Sequence, residues 1–132
     1  MIEQTLSIIK PDAVERNLEN DIKNFFEKNN LVILKGKKVK ISREEASEFY
    51  KVHQTKPFYK DLCNYLSSGP IVVMILEGED AISKNRELMG STDPKKAEEG
   101  TLRKMYGLSI EKNSVHGSDS VENAKIEINF FF

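Results

Sequence analysis

Ile71 to Leu76 is the one continuous apolar run in the chain, and it restricts the possible folds more than any other stretch. It is far too short to span a bilayer. It fits a central strand, covered on at least one face and packed at its ends. Ser68-Gly69-Pro70 breaks the chain just before it. The other apolar segments can be arranged around this strand. Thr5 to Ile9 reads as a buried strand, stopped by Lys10-Pro11-Asp12 because proline cannot donate to a ladder. Ile22, Phe25 and Phe26 recur at helical spacing and predict a helix from about Glu19 to Asn29. Leu31 to Leu34, with Val39 and Ile41, reads as a long second strand whose far half alternates with lysines.

Ser42 followed by Glu45 forms a capping box, opening a helix whose inner stripe is Ala46, Phe49, Tyr50 and His53. A second short helix follows Pro57, with Phe58, Leu62, Tyr65 and Leu66 on one side. Ala81, Ile82, Leu88 and Met89 mark another. From Gly90 to about Val115 periodicity fails, and a loop of that length inside a compact domain is functional or disordered. Ser118 or Asp119 caps a short helix through Ala124. Ile126, Ile128, Phe130 and Phe132 then alternate with Glu127, Asn129 and Phe131, predicting a final half-buried strand. The order β, α, β, α, β, α, long loop, β predicts an α+β fold. The expected architecture is a ferredoxin-like βαββαβ sandwich, a four-stranded antiparallel sheet with helices on one face.

With 132 residues and no internal repeat, one domain over residues 1–132 is expected. Apolar residues make up 39% and charged residues 31%, an ordinary globular balance. The formal net charge of −1 gives no overall basic field for gripping nucleic acid. No apolar stretch ahead of a cleavage site follows the N-terminus, so a secretory signal is not expected. The lone Cys63 cannot form an internal disulfide, which fits a reducing cytoplasm.

The densest polar cluster is Asn113-Ser114-Val115-His116-Gly117-Ser118-Asp119-Ser120. A histidine followed by glycine has an open approach to its ring, and a neutral imidazole nitrogen is a competent nucleophile near pH 7. The capping residues that follow place it just ahead of a helix N-terminus, where backbone N–H groups favour anions. Composition alone leaves His116 open between this role and that of a surface histidine in a turn. Lys10, Arg86 and Arg103 are the scattered cations, and arginine's planar fork suits phosphate. Taken singly, each reads as a solvated surface charge, although Lys10, at a strand end before Pro-Asp, is well placed to enter a cleft. No Gly-x-x-x-x-Gly-Lys loop and no strand-linked Gly-x-Gly-x-x-Gly is present. Two histidines and one cysteine do not make a structural zinc site.

Lys10-Pro11-Asp12 after an apolar strand, Ser68-Gly69-Pro70 before another, and Asn113-x-x-His116-Gly117-Ser118-Asp119-Ser120 together resemble nucleoside diphosphate kinases. Gly100-Thr101-Leu102-Arg103 strengthens the likeness, which runs from Thr5 to about Phe131. Ile75 to Ala81 (ILEGEDA) and Asn85-Arg86-x-Leu88-Met89-Gly90 look like the short bacterial form. The resemblance implies transfer of the γ-phosphate of a nucleoside triphosphate to a nucleoside diphosphate, by a ping-pong route through phosphohistidine on His116. It implies that Lys10 reaches the sugar 3′-hydroxyl and the moving phosphate, with Asn113 helping at the sugar. Arg86, Thr92 and Arg103 would hold the phosphates together with Mg²⁺, carried mainly by those phosphates, and Tyr50 would touch the phosphate near His116. Phe58 and Ile110 would sandwich the base, while Ser118 and Glu127 would support the histidine.

Base contact by stacking discriminates poorly because every base offers a π-face, so broad base specificity is expected. The resemblance further implies a cytoplasmic homo-oligomer, a hexamer favoured over a tetramer, acting on nucleoside tri- and diphosphates with no nucleic acid and no membrane. The competing reading is a catalytically weakened nucleotide-binding or assembly module. It draws on departures from the family pattern: Lys104-Met105-Tyr106 after Arg103, Glu98-Glu99 before Gly100, and Glu111-Lys112 before Asn113. Asn17 and Asn20 also stand where glycine is common, and asparagine still reaches left-handed backbone angles.

Overall fold

The computed structural model describes all 132 residues. Its elements are β1 (Ile2–Ile9), α1 (Pro11–Glu15), α2 (Glu19–Lys28), β2 (Val32–Val39), α3 (Arg43–Phe49), α4 (Tyr59–Leu66), β3 (Ile71–Glu79), α5 (Ala81–Met89), α6 (Leu102–Tyr106), β4 (Val115–Gly117) and α7 (Val121–Phe131). Strand order is β2-β3-β1-β4, and every pairing is antiparallel. The apolar run thus forms a strand flanked on both sides. It sits opposite β1 with Leu6 across from Ile75 and Ile9 across from Val72.

The expected α+β fold with a four-stranded antiparallel sheet is present, but helices cover both faces of the sheet rather than one. Strand side chains alternate, so a continuous apolar run supplies two cores. Val72, Met74 and Leu76 pack with Ile22 and Phe26 of α2, Met89 of α5 and Leu102 of α6. Ile71 and Val73 pack on the opposite side with Ala46, Cys63, Leu66 and Phe131. The Ser42 capping box forms as expected, with Ser42 Oγ accepting from the Glu45 amide and Glu45 accepting from the Ser42 amide. Asn17 adopts a left-handed φ of 60°, whereas Asn20 lies inside α2.

The C-terminal end differs from the sequence expectation. Ile126 to Phe132 is not a strand: Ile126 to Phe131 belongs to α7, which Phe132 ends, and the fourth strand is the three-residue Val115–Gly117. Two periodicities compete in this segment. Ala124, Ile128 and Phe131 recur at spacings of four and three; Ala124 and Phe131 are buried and Ile128 partly so, while Ile126 on the alternating pattern is exposed. Ser120 caps the helix by accepting from the Asn123 amide. The long segment after Gly90 also contains structure: α6 is capped by Thr101, and a 3₁₀ turn spans Pro94–Lys96. Gly90 itself has φ 83°, and a Cβ there would lie 2.5 Å from Thr101 Oγ1.

Candidate active site

His116 is the middle residue of β4, opposite Ile8 of β1. Its ring therefore shares a sheet face with Ile8 and meets α3 and α7. Phe49 sits edge-on to the ring at a centroid distance of 5.3 Å. The Nε2 nitrogen lies 2.8 Å from Glu127 Oε1. A carboxylate oxygen accepts, so Nε2 carries the proton and the lone pair is left on Nδ1. Glu127 Oε1 also accepts from Ser118 Oγ at 3.0 Å, and Ser118 Oγ in turn accepts from the Leu6 amide at 3.3 Å. The imidazole is thus oriented by α7 and anchored to the backbone of β1. Glu127 reaches it because the segment is helical, which brings a residue eleven positions along the chain back over β4.

A cleft of about 620 Å³ opens beside the histidine. Lys10, Arg103, Asn113 and His116 line it, together with Thr92, Phe58 and Ile110. His53, Asp61, Leu62 and Glu111 complete the lining; the sequence places His53 and Leu62 on apolar helix stripes and gives none of the four a role at a site. Phe58 and Ile110 are both exposed large apolar side chains on this cleft. Seven of the eleven residues named from sequence therefore face one space. Ser118 and Glu127 stand behind the histidine. Tyr50 is buried beside Phe49, with its ring centroid 6.2 Å from that of His53, and does not line the cleft. Arg86 is exposed on α5, outside the cleft lining, yet close enough to Arg103 and Asp119 to act on both charges.

The cations are held in unusual surroundings. Lys10 is buried at the end of β1, its Nζ donating to Asn113 Oδ1 at 2.9 Å. Burial, helped by the positive charge of Arg103, pulls its pKa down to about 8. Burial, then Arg86, lowers that of Arg103 to about 10. Two cations at close range and out of water repel each other, and an anion between them relieves both penalties. Arg103 donates through Nη1 to the Gly90 carbonyl at 3.1 Å and through Nη2 to the Val115 carbonyl at 2.9 Å. These bonds tie the two ends of the long loop together. Its Nε is buried without a protein acceptor. Asn113 Nδ2 donates to the Thr92 and Ile110 carbonyls, at 3.1 and 2.9 Å, and fixes the loop across the cleft mouth.

A ring nitrogen with a free lone pair beside paired buried cations is an arrangement for accepting a phosphoryl group. Comparison with known proteins decides the family. The model of the family described as nucleoside diphosphate kinase matches residues 3–132. The chain belongs to the nucleoside diphosphate kinase family. It is 57% identical to the nucleoside diphosphate kinase of Wolinella succinogenes over 131 residues, covering 99% of this chain and 96% of that protein. It is 54% identical to that of Persephonella marina, with 99% and 94% covered. The crystal structure of the Aquifex aeolicus nucleoside diphosphate kinase superposes with a TM-score of 0.98 at 41% identity, covering 100% of this chain and 96% of that one. The sequence gave no functional role to Asp12, Arg16, Tyr65 or Ser114, which hydrogen-bond around the Asp12 carboxylate. The Lys-Pro-Asp motif named Asp12 but gave no sign of its partners.

Proposed function

We propose that this chain transfers the γ-phosphate of a nucleoside triphosphate to a nucleoside diphosphate through a covalent intermediate on His116. The observation that carries this reading is the Glu127–His116 hydrogen bond, which leaves Nδ1 as the nucleophilic nitrogen of a histidine lining a cationic cleft. Nδ1 attacks the γ-phosphorus while the bond to the β–γ bridging oxygen breaks. The electron pair goes to that oxygen, and the diphosphate departs. A β-phosphate oxygen of the second nucleotide then attacks the phosphohistidine, and the P–N bond breaks. The ring gains positive charge as the P–N bond forms, and Glu127 offsets it. Such transfer needs little covalent help beyond the nucleophile, so positioning and charge carry the catalysis.

Lys10 and Arg103 meet the phosphates, with Arg86 and Thr92 contributing, while Tyr50 packs on Phe49, the ring that meets His116 edge-on. Lys10 and Asn113 also contact the sugar hydroxyl. Phe58 and Ile110 hold the base by apolar contact, which supports broad base acceptance. Mg²⁺ fits as an ion carried by the phosphates, since one or two carboxylates plus substrate phosphates is its usual setting. No three His, Cys, Asp or Glu side chains converge into a protein cage, while the Asp61 and Glu111 carboxylates line the same cleft. When bound, it neutralises phosphate charge. Self-association into a homo-oligomer, a hexamer favoured over a tetramer, is supported by the edge strand β2 and its exposed Val32 and Leu34. A cytoplasmic setting is supported by the free, buried Cys63.

The test uses radiolabelled ATP with Mg²⁺. The wild-type protein should yield an acid-labile, base-stable phosphoprotein and parallel double-reciprocal plots, and His116→Ala should abolish both phosphoenzyme and transfer while still binding ADP. Transfer persisting in His116→Ala, or intersecting plots from a ternary complex, would refute the reading.

A further inference from the structure

We propose that Asp12 is a positioning residue for phosphoryl transfer, its buried carboxylate holding in one frame the strand end, loop and helix that carry Lys10, Asn113, His116 and Arg103. This rests on the reading of His116 as nucleophile. The Asp12 side chain is only 4% exposed. Its Oδ2 accepts from Ser114 Oγ at 2.8 Å and from Arg16 Nη2 at 3.1 Å, and its Oδ1 accepts from Tyr65 Oη. The Asp12 amide donates back to Tyr65 Oη at 2.8 Å. Arg16 Nη2 also donates to the Tyr106 carbonyl at 2.6 Å, at the end of the helix that carries Arg103. One carboxylate thus joins α1, α4, α6 and the segment leading into β4.

Ser114 is where this frame meets the chemistry. It is fully buried and holds a left-handed φ of 73°, which a non-glycine residue keeps only when its surroundings impose it. The bond to Asp12 is such a constraint. The kink sets the direction of both neighbours: Asn113 points to Lys10 Nζ, and Val115 starts the strand that carries His116. The Ser114 carbonyl accepts from the Lys10 amide at 2.8 Å, closing the loop onto the strand end. The Asp12 charge has a second effect. It raises the affinity of Lys10 for its proton, against burial and Arg103, which lower it, with Glu111 acting on the same side as Asp12. His116, His53 and Asp61 are the other titratable groups of this cleft.

The experiment measures phosphoenzyme formation from limiting ATP with Mg²⁺ across pH, for wild type, Asp12→Asn, Ser114→Ala and Tyr65→Phe, with thermal melting of each. Misplacement of reacting groups by about 1 Å costs on the order of 100-fold in rate. Asp12→Asn should therefore slow phosphorylation roughly 10- to 100-fold and move the basic limb of the pH profile to lower pH. Ser114→Ala and Tyr65→Phe, which keep the carboxylate, should slow the reaction less and leave the limb in place. A folded Asp12→Asn protein with wild-type rate, or with a slowed rate and an unmoved limb, would overturn the proposal. If Asp12→Asn does not fold, wild-type rates in both Ser114→Ala and Tyr65→Phe would overturn it. Phosphoenzyme persisting in His116→Ala would instead overturn the reading beneath it.

Discussion

Replacing Glu127 by glutamine preserves an acceptor oxygen for both His116 Nε2 and Ser118 Oγ, which lie 2.8 and 3.0 Å from Glu127 Oε1. Geometry is kept and only the charge is lost. A hydrogen bond to a charged group contributes about 1.5–3 kcal/mol and a neutral one about 0.5–1.5, so the difference is about 1–1.5 kcal/mol. That difference falls on the barrier, because the ring becomes cationic only as the P–N bond forms. The expected result is phosphoenzyme formation slowed roughly 5- to 12-fold, with the melting temperature nearly unchanged. Glu127→Ala should differ in kind. It strands the buried Ser118 hydroxyl, which costs about 1–3 kcal/mol of stability in addition to the rate loss. The chain has no tryptophan, so the assay is rapid quench with radiolabelled ATP instead of indole fluorescence. A Glu127→Gln enzyme that is phosphorylated at the wild-type rate would refute the charge argument. One that melts as early as Glu127→Ala would show that the contact is structural.

Lys10 has a folded pKa of about 8, below the ordinary 10.5. Its burial penalty is therefore fully present below pH 8 and is relieved as pH rises toward 10.5, where the unfolded chain still binds the proton. Unfolding free energy should climb by on the order of 2 kcal/mol more in wild type than in Lys10→Met between pH 8 and 10; equal slopes in urea titrations would contradict this. Amide exchange between Gly90 and Val115 should slow on adding ADP and Mg²⁺, and Arg103→Ala should speed it by cutting the bonds to Gly90 and Val115. A free loop exchanging as slowly as Ile71 to Leu76 would defeat that expectation. Gly117→Ala should destabilise by about 1–3 kcal/mol through overpacking. Its Cβ would lie 2.2 Å from the Nδ2 of the fully buried Asn85 and 2.9 Å from Met89 Cε. An unchanged melting temperature would refute it.

Local pattern alone specified much of the fold. The apolar run at Ile71, the proline stop after Lys10 and the Ser42 capping box act over a few residues, and all three hold. The motifs also named most of the cleft, because a nucleophile and the cations that meet phosphate must be particular residue types. What the sequence could not show is set by contacts distant along the chain. Ile126 to Phe132 reads both as a strand and as a helix, and burial of Ala124 and Phe131 against the sheet decides for the helix. The strand β4 is too short for any period to register, and it exists because β1 offers it an edge at Ser7 to Ile9. The two-sided core, the proton position on His116 and the Asp12 frame likewise depend on tertiary partners: Glu127 stands eleven positions from His116, and Ser114 stands 102 positions from Asp12. Sequence determined which groups are available and how the chain locally bends. Tertiary structure decided which of them meet, because only packing fixes distances between residues remote along the chain.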